Sequence, residues 1–138
     1  MIARYALAYA ATGIAFIAID AVWLRTMAPT FYRGAIGSLL ADQPRLGAAA
    51  AFYLVYAAGI VLFAVAPAFA HPGGSWKTAL GYGAALGFVA YATYDLTNQA
   101  TLKVWPLRLT LVDLAWGTLL TGAAAAIGYL VTRAILKG

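Results

Sequence analysis

Four long apolar segments occupy almost the whole of this chain. They cover residues 3–24, 46–69, 79–102 and 109–132, with boundaries that are approximate. A helix needs about 20 predominantly apolar residues to cross the hydrocarbon layer of a bilayer, and each segment reaches that length. We therefore predict an all-α integral membrane protein with four transmembrane helices in one domain that covers residues 1–138.

The composition agrees with a membrane location and leaves no room for a soluble domain. Of the 138 residues, 64% are hydrophobic and only 9% are charged, whereas a soluble domain carries about 25% charged residues. The net charge is +5, but the basic residues lie in loops or near the ends of the apolar segments. They form no cluster of the kind that nucleic acid requires. We expect membrane lipid as a partner and no nucleic acid.

The longest connection, residues 26–46, has an amphipathic pattern. Four of its apolar residues share one helical face, and its polar residues lie outside that face. The four are Tyr32, Ile36, Leu39 and Leu40. This pattern predicts a short helix that lies in the membrane interface.

The connection at residues 71–76 is short and rich in Pro and Gly, so the second and third segments should be antiparallel neighbours. Gly83 and Gly87 lie one turn apart in the third segment, and small residues at this spacing allow a neighbouring helix to approach closely. We predict that this close contact lies between the second and third segments.

Three of the four acidic residues lie inside apolar segments. They are Asp20, Asp95 and Asp113, and the chain has no glutamate. A carboxylate at the bilayer centre costs about 2.5–3.5 kcal/mol on insertion scales, so each needs a partner or a function. Because successive segments run in opposite directions, the three residues should share one leaflet. At 1.5 Å per residue, they lie about 7–12 Å below their flanking basic residues.

Polar and aromatic side chains accompany these acids at helical spacing, which predicts a binding cluster inside the membrane. The chain has no cysteine, and its one histidine, His71, lies in a loop. We therefore expect no metal site and no cofactor, and we assign no catalytic residue. The candidate binding residues are Asp20, Tyr91, Asp95, Asn98, Asp113 and Trp116.

Several runs of this sequence resemble a known family. The resemblance extends over essentially the whole chain, and its most specific part is the Y-D-L-T-N run that begins at Tyr94. The runs are residues 20–24, 31–33, 91–102, 105–106 and 112–117. The chain resembles an uncharacterised bacterial multi-pass membrane family catalogued as domain of unknown function 2177. The resemblance implies a small protein of the bacterial inner membrane, with no assigned activity and no catalytic residue.

Three functions remain open on the sequence alone. The first is a protein that binds or transports a cation, a proton or an amine-bearing lipid head group; transport would require a homo-oligomer. The second is a membrane-embedded enzyme that acts on a lipid through two carboxylates, although the chain lacks a nucleophile motif and has no histidine in its apolar segments. The third is an accessory or assembly subunit in which the polar cluster only packs helices together.

A structure should discriminate between binding and packing. A cavity that all three aspartates reach would favour binding, whereas carboxylates that are each capped by Arg, Trp or Tyr would favour packing. The basic residues are divided almost evenly between the two sides of the membrane, so the positive-inside rule predicts no orientation.

Overall fold

The computed structural model describes residues 2–137, and all the regular secondary structure in that range is helical. The predicted all-α class is therefore confirmed. The α-helices are α1 (Ile2–Met27), α2 (Arg33–Ile36), α3 (Leu46–Ile60), α4 (Ala66–Ala70), α5 (Trp76–Thr101) and α6 (Leu107–Lys137).

Two π-helical segments and one 3₁₀ turn extend these helices. Ala28–Tyr32 joins α1 to α2, and Gly37–Leu39 continues α2, so the first helical stretch runs without a loop to Leu39. The sequence predicts a separate helix in this connection, whereas the structure shows a continuation of α1. Pro29 lies at the start of the π segment, where the wider turn accommodates a ring that would clash with a regular α-helical carbonyl. In the same way, Val61–Val65 joins α3 to α4.

Three helical stretches are long and apolar enough to cross a membrane. They are Ile2–Leu39, Leu46–Ala70 and Leu107–Lys137. The fourth long helix, α5, has 26 residues, but it is less apolar because its second half carries Asp95 and Asn98. Length and composition therefore support three of the four predicted spans.

The most extensive helix contact joins α5 to α6. A Cβ atom placed on Gly83 would lie 2.7 Å from the Cβ of Ala125, and one placed on Gly87 would lie 2.2 Å from the carbonyl oxygen of Gly117. The predicted close contact at the two glycines therefore exists, but its predicted partner was wrong. The glycines face α6 because α6 offers small residues at the matching positions, which lets the backbones touch.

Helix α1 also packs against α6. Thr12 of α1 is so close to Gly128 of α6 that a Cβ on the glycine would lie 1.9 Å from the threonine hydroxyl. Phe16, Ile60 and Leu120 are almost fully buried where α1, the second helical stretch and α6 meet. This apolar core fixes the helices relative to one another at the middle of the bundle. The polar residues lie together beyond this core, at the end of the bundle where α1 and α5 finish and α3 and α6 begin.

Candidate functional site

A cavity of about 290 Å³ lies at that end of the bundle. Residues of α1, α5, α6 and the segments that connect them form its walls. Its charged groups are the carboxylates of Asp20 and Asp113, and no Lys, Arg or His is among the residues that line it. Most of the remaining wall is aromatic, and the residues that supply it are Trp23, Tyr32, Tyr91, Tyr94, Trp105 and Trp116. We call this space the acid–aromatic cavity.

A chain of hydrogen bonds holds the Asp113 carboxylate. The hydroxyl of Tyr32 donates to Asp113 Oδ1 at 2.5 Å, and the indole N–H of Trp23 donates to the Tyr32 hydroxyl at 2.9 Å. Tyr32 belongs to the π segment after α1, and Asp113 lies in the second turn of α6. The bond therefore attaches the end of the first helical stretch to the start of the last helix and closes one side of the cavity.

The Asp20 carboxylate is held by two other aromatic donors. The hydroxyl of Tyr53 donates to Oδ2 at 2.8 Å, and the indole N–H of Trp116 donates to Oδ1 at 3.3 Å. The Trp116 ring also stacks on Trp23, with a centroid distance of 4.2 Å and an interplanar angle of 8°. Side chains from α1, α3 and α6 thus fix the position of this acid without supplying a positive charge.

The packing register of α5 and α6 brings the third acid to the second. Positions one turn apart on α5 meet positions one turn apart on α6 in reverse order. The pairs are Gly83 with Ala125, Gly87 with Thr121, and Tyr91 with Gly117. One further turn of each helix places Asp95 opposite Asp113. The tight fit continues up to this point, since a Cβ on Gly117 would lie 2.2 Å from the Tyr91 ring.

Asp95 is fully buried and is not among the residues that line the cavity. Within residues 2–137, neither of its carboxylate oxygens has a hydrogen-bond partner. The register of α5 and α6 places its side chain opposite Asp113. The two carboxyl groups therefore face each other across the helix contact, and only that of Asp113 lines the cavity.

A third set of hydrogen bonds positions Trp105 in the wall of the cavity. The indole N–H of Trp105 donates to the hydroxyl of Thr110 at 3.2 Å, and that hydroxyl donates to Gln99 Oε1 at 2.7 Å. These bonds link the end of α5, the connection that follows and the start of α6. They hold the Trp105 ring against Tyr94, with the centroids 5.6 Å apart.

The structure brings together five of the six predicted site residues. Asp20, Tyr91, Asp113 and Trp116 line the cavity, and Asp95 lies opposite Asp113 across the contact of α5 with α6. The sixth, Asn98, is half-buried and is not among the lining residues.

Sequence reasoning did not place several aromatic residues in the site. Trp23 was not assigned to the site, and Tyr32 was expected on the apolar face of a separate helix. No sequence signal links Tyr53 or Trp105 to the acids, because these contacts depend on how the helices pack. The spacing between Asp20 and Trp23 was the closest available indication.

The cavity concentrates negative charge without compensating it. Tyrosine and tryptophan are neutral donors, so their hydrogen bonds orient the carboxylates but leave the charges in place. Among residues 2–137, no group of three or more His, Cys, Asp or Glu side chains could hold a metal ion. Aromatic faces beside carboxylates attract a positively charged ligand, through the ring quadrupole and through the charge.

The fold and the site define a class: a small helical membrane protein with an acid–aromatic cavity at one end of its bundle. The sequence profile of the family described as "Predicted membrane protein (DUF2177)" matches residues 5–130. The chain belongs to this family, whose description names no activity. No curated protein and no solved structure matches the chain.

Proposed function

We propose that this membrane protein binds a small organic cation of the amine class in the acid–aromatic cavity. The observation that carries the proposal is the pair of acids that line the cavity, Asp20 and Asp113, with no basic residue in its wall. Charges that are partly removed from water and have no counter-ion favour the entry of a cation. The stacked indoles of Trp23 and Trp116 supply faces of the kind that recognise alkylated ammonium groups.

Binding of butylammonium to the purified protein in nanodiscs tests this proposal. Trp23 and Trp116 line the cavity, so their fluorescence should report occupancy. We expect saturable binding that Asp20→Asn weakens at least about tenfold, because removal of one charge at contact range is worth more than about 1.4 kcal/mol. Asn keeps an oxygen as acceptor for Tyr53 or Trp116, so the walls should remain in place.

The exposed acid Asp42 provides a matched control, since it is not among the cavity residues. Asp42→Asn should leave the affinity for butylammonium unchanged. The neutral analogue butanol should not displace the amine. Equal loss of affinity in the Asp20 and Asp42 variants, or no binding to the parent protein, would contradict an amine site in this cavity.

A packing role is the second candidate, and two observations favour it: Asp95 does not reach the cavity, and aromatic donors cap the other two acids. Asp20 and Asp113 are each capped by tyrosine or tryptophan donors, which is the arrangement expected of acids that only hold helices together. In that case neither the parent protein nor Asp20→Asn would bind amines. The binding measurement therefore separates the two functions.

We also propose that α5 is a fourth membrane span, in the inner membrane of a bacterium. Its most polar residue, Asp95, is buried, and Gly83 and Gly87 face α6, so lipid would meet only the remaining, largely apolar faces. The family resemblance supports the bacterial location.

Reporter fusions test the four-span topology. Fusions after Leu40 and after Val104 should report the same side of the membrane, and a fusion after Gly73 should report the opposite side. If α5 did not cross, the reporter at Val104 would lie on the side of Gly73 and not on that of Leu40.

A further inference from the structure

A second, largely apolar groove adjoins the acid–aromatic cavity. It has a volume of about 380 Å³, lies between α3 and α5, and is lined by Phe52, Tyr56, Ala90, Tyr91 and Tyr94. Tyr91 and Tyr94 also line the acid–aromatic cavity. The two spaces therefore share a wall, and a ligand that passes these two rings would occupy both.

The groove has an apolar lining and is open to the outside of the helix bundle. The rings of Phe52 and Tyr56 stack with centroids 5.2 Å apart. The Tyr56 hydroxyl is hydrogen-bonded to the Thr121 hydroxyl at 2.9 Å, so the aromatic ring of Tyr56, and not its hydroxyl group, lines the groove. Phe52 is 45% exposed and Tyr94 is 57% exposed. In a membrane, a groove between two helices with such a rim opens to the lipid chains.

The groove reaches deeper along the bundle than Asp20 does, because Tyr53, which donates to Asp20, lies about one turn before Tyr56 on α3. Phe52 and Tyr56 lie six and ten residues after the start of α3 at Leu46, which is about 9 and 15 Å along the helix. Half of the hydrocarbon layer measures about 15 Å. The cavity lies nearer the end of the bundle, because Leu40 and Trp105 of the connecting segments form part of its wall. A ligand that fills both would point from the interface towards the midplane.

We propose that the ligand of this protein is an amphiphile with a cationic amine head and a single hydrocarbon chain. The head lies in the acid–aromatic cavity and the chain lies in the groove between α3 and α5. This inference rests on the proposed function, because the amine site is what holds the head. It adds the chemical class of the ligand and the path by which it enters, sideways from the lipid.

Charge and shape together select this class of ligand. A short soluble amine would satisfy the carboxylates of Asp20 and Asp113 but would leave the groove to other lipids. A phosphate on the head group would meet two negative charges in the cavity and no basic residue in its wall, which disfavours anionic lipids. A neutral chain has no reason to prefer the groove, since bilayer lipid is as apolar as the groove itself.

Photolabelling locates the chain. The probe is dodecylamine with a diazirine at the tip of its chain, added to the purified protein in nanodiscs, and dodecanol with the same tip is the neutral counterpart. We expect the amine to label residues around Phe52, Tyr56 and Ala90, and we expect excess butylammonium or Asp20→Asn to reduce this labelling at least about fivefold. The alcohol should label lipid-facing residues on all sides of the bundle.

A variant that fills the groove gives a second test. Ala90→Phe places a ring in the groove and should weaken dodecylamine binding at least about fivefold, while butylammonium binding remains within about twofold of the parent. Ala85→Phe is the matched control, since Ala85 is exposed on the same helix and is not among the groove residues. It should change neither ligand.

The outcomes separate this inference from the proposed function. If butylammonium binds and Asp20→Asn weakens it, but dodecylamine labels the groove no more than dodecanol does, the amine site stands and the amphiphile is refuted. If labelling of the groove is insensitive to butylammonium, the chain found there is bulk lipid and the inference fails. If the parent binds no amine at all, the proposed function fails first.

Discussion

Replacement of Gly87 by alanine is expected to lower the free energy of unfolding by about 3 kcal/mol, the upper end of the usual range for overpacking. The added methyl group would lie 2.2 Å from the carbonyl oxygen of Gly117 and 2.8 Å from the side chain of Thr121. Backbone cannot move aside as a flexible side chain can, so α5 and α6 would have to separate. Separation would also disturb the register that places Asp95 opposite Asp113.

Unfolding in detergent, followed by circular dichroism or by thermal precipitation, measures this effect. Gly81→Ala is the matched control. Gly81 lies on the same helix as Gly87, but a Cβ atom placed on it would have no neighbour within 4 Å. This substitution should be neutral or slightly stabilising, since alanine favours a helix more than glycine does. Equal stability of the two variants would show that α5 and α6 do not pack in this register.

Substitutions of Asp113 and of Asp95 should differ in their effect on stability. Asp113→Ala removes the acceptor of the Tyr32 hydroxyl and with it the bond that joins the end of the first helical stretch to the start of α6. We expect a loss of about 3 kcal/mol, because a hydrogen bond to a charged group contributes about 1.5–3 kcal/mol and a partly buried hydroxyl is left without its acceptor. Asp95→Asn should cost nothing, since no donor holds the Asp95 carboxylate and the new amide can donate to Asp113.

Thermal stability of both variants beside the parent checks this contrast. Asp95→Asn should melt at the parent temperature or above it, and Asp113→Ala well below. Tyr32→Phe removes the other member of the bond to Asp113 and should reproduce part of the loss. A large destabilisation by Asp95→Asn would mean that the Asp95 charge is paired inside the bundle, and that this acid serves to pack the helices.

Local patterns in the sequence predict the helices and the acids of the site. Apolar runs of about 20 residues can satisfy their backbone groups inside a bilayer only as helices, so the all-α class follows from composition and length. The common depth of Asp20, Asp95 and Asp113 follows from counting residues along antiparallel helices. Both predictions use distances along one helix, where the geometry is regular.

Local patterns fail where a position depends on its neighbour in space. Gly83 and Gly87 predict a close contact but do not name the helix that makes it, because many faces of this chain are rich in Ala and Gly. The continuation of α1 through Pro29 is a similar case: a proline either ends a helix or is absorbed by a wider turn, and packing of the following segment decides between them.

The amino-acid sequence by itself determined the helical class, the approximate extent of the second, third and fourth long helices, and a set of acids that antiparallel helices bring to one end of the bundle. The tertiary structure alone decided that α6 is the partner of α5, that Asp95 lies behind Asp113 and not in the cavity, and that aromatic residues from distant parts of the chain hold Asp20 and Asp113. The physical reason is the same in each case. Rise along a helix is fixed by its own hydrogen bonds, whereas rotation about its axis and the choice of partner are fixed by the shapes of the faces that meet.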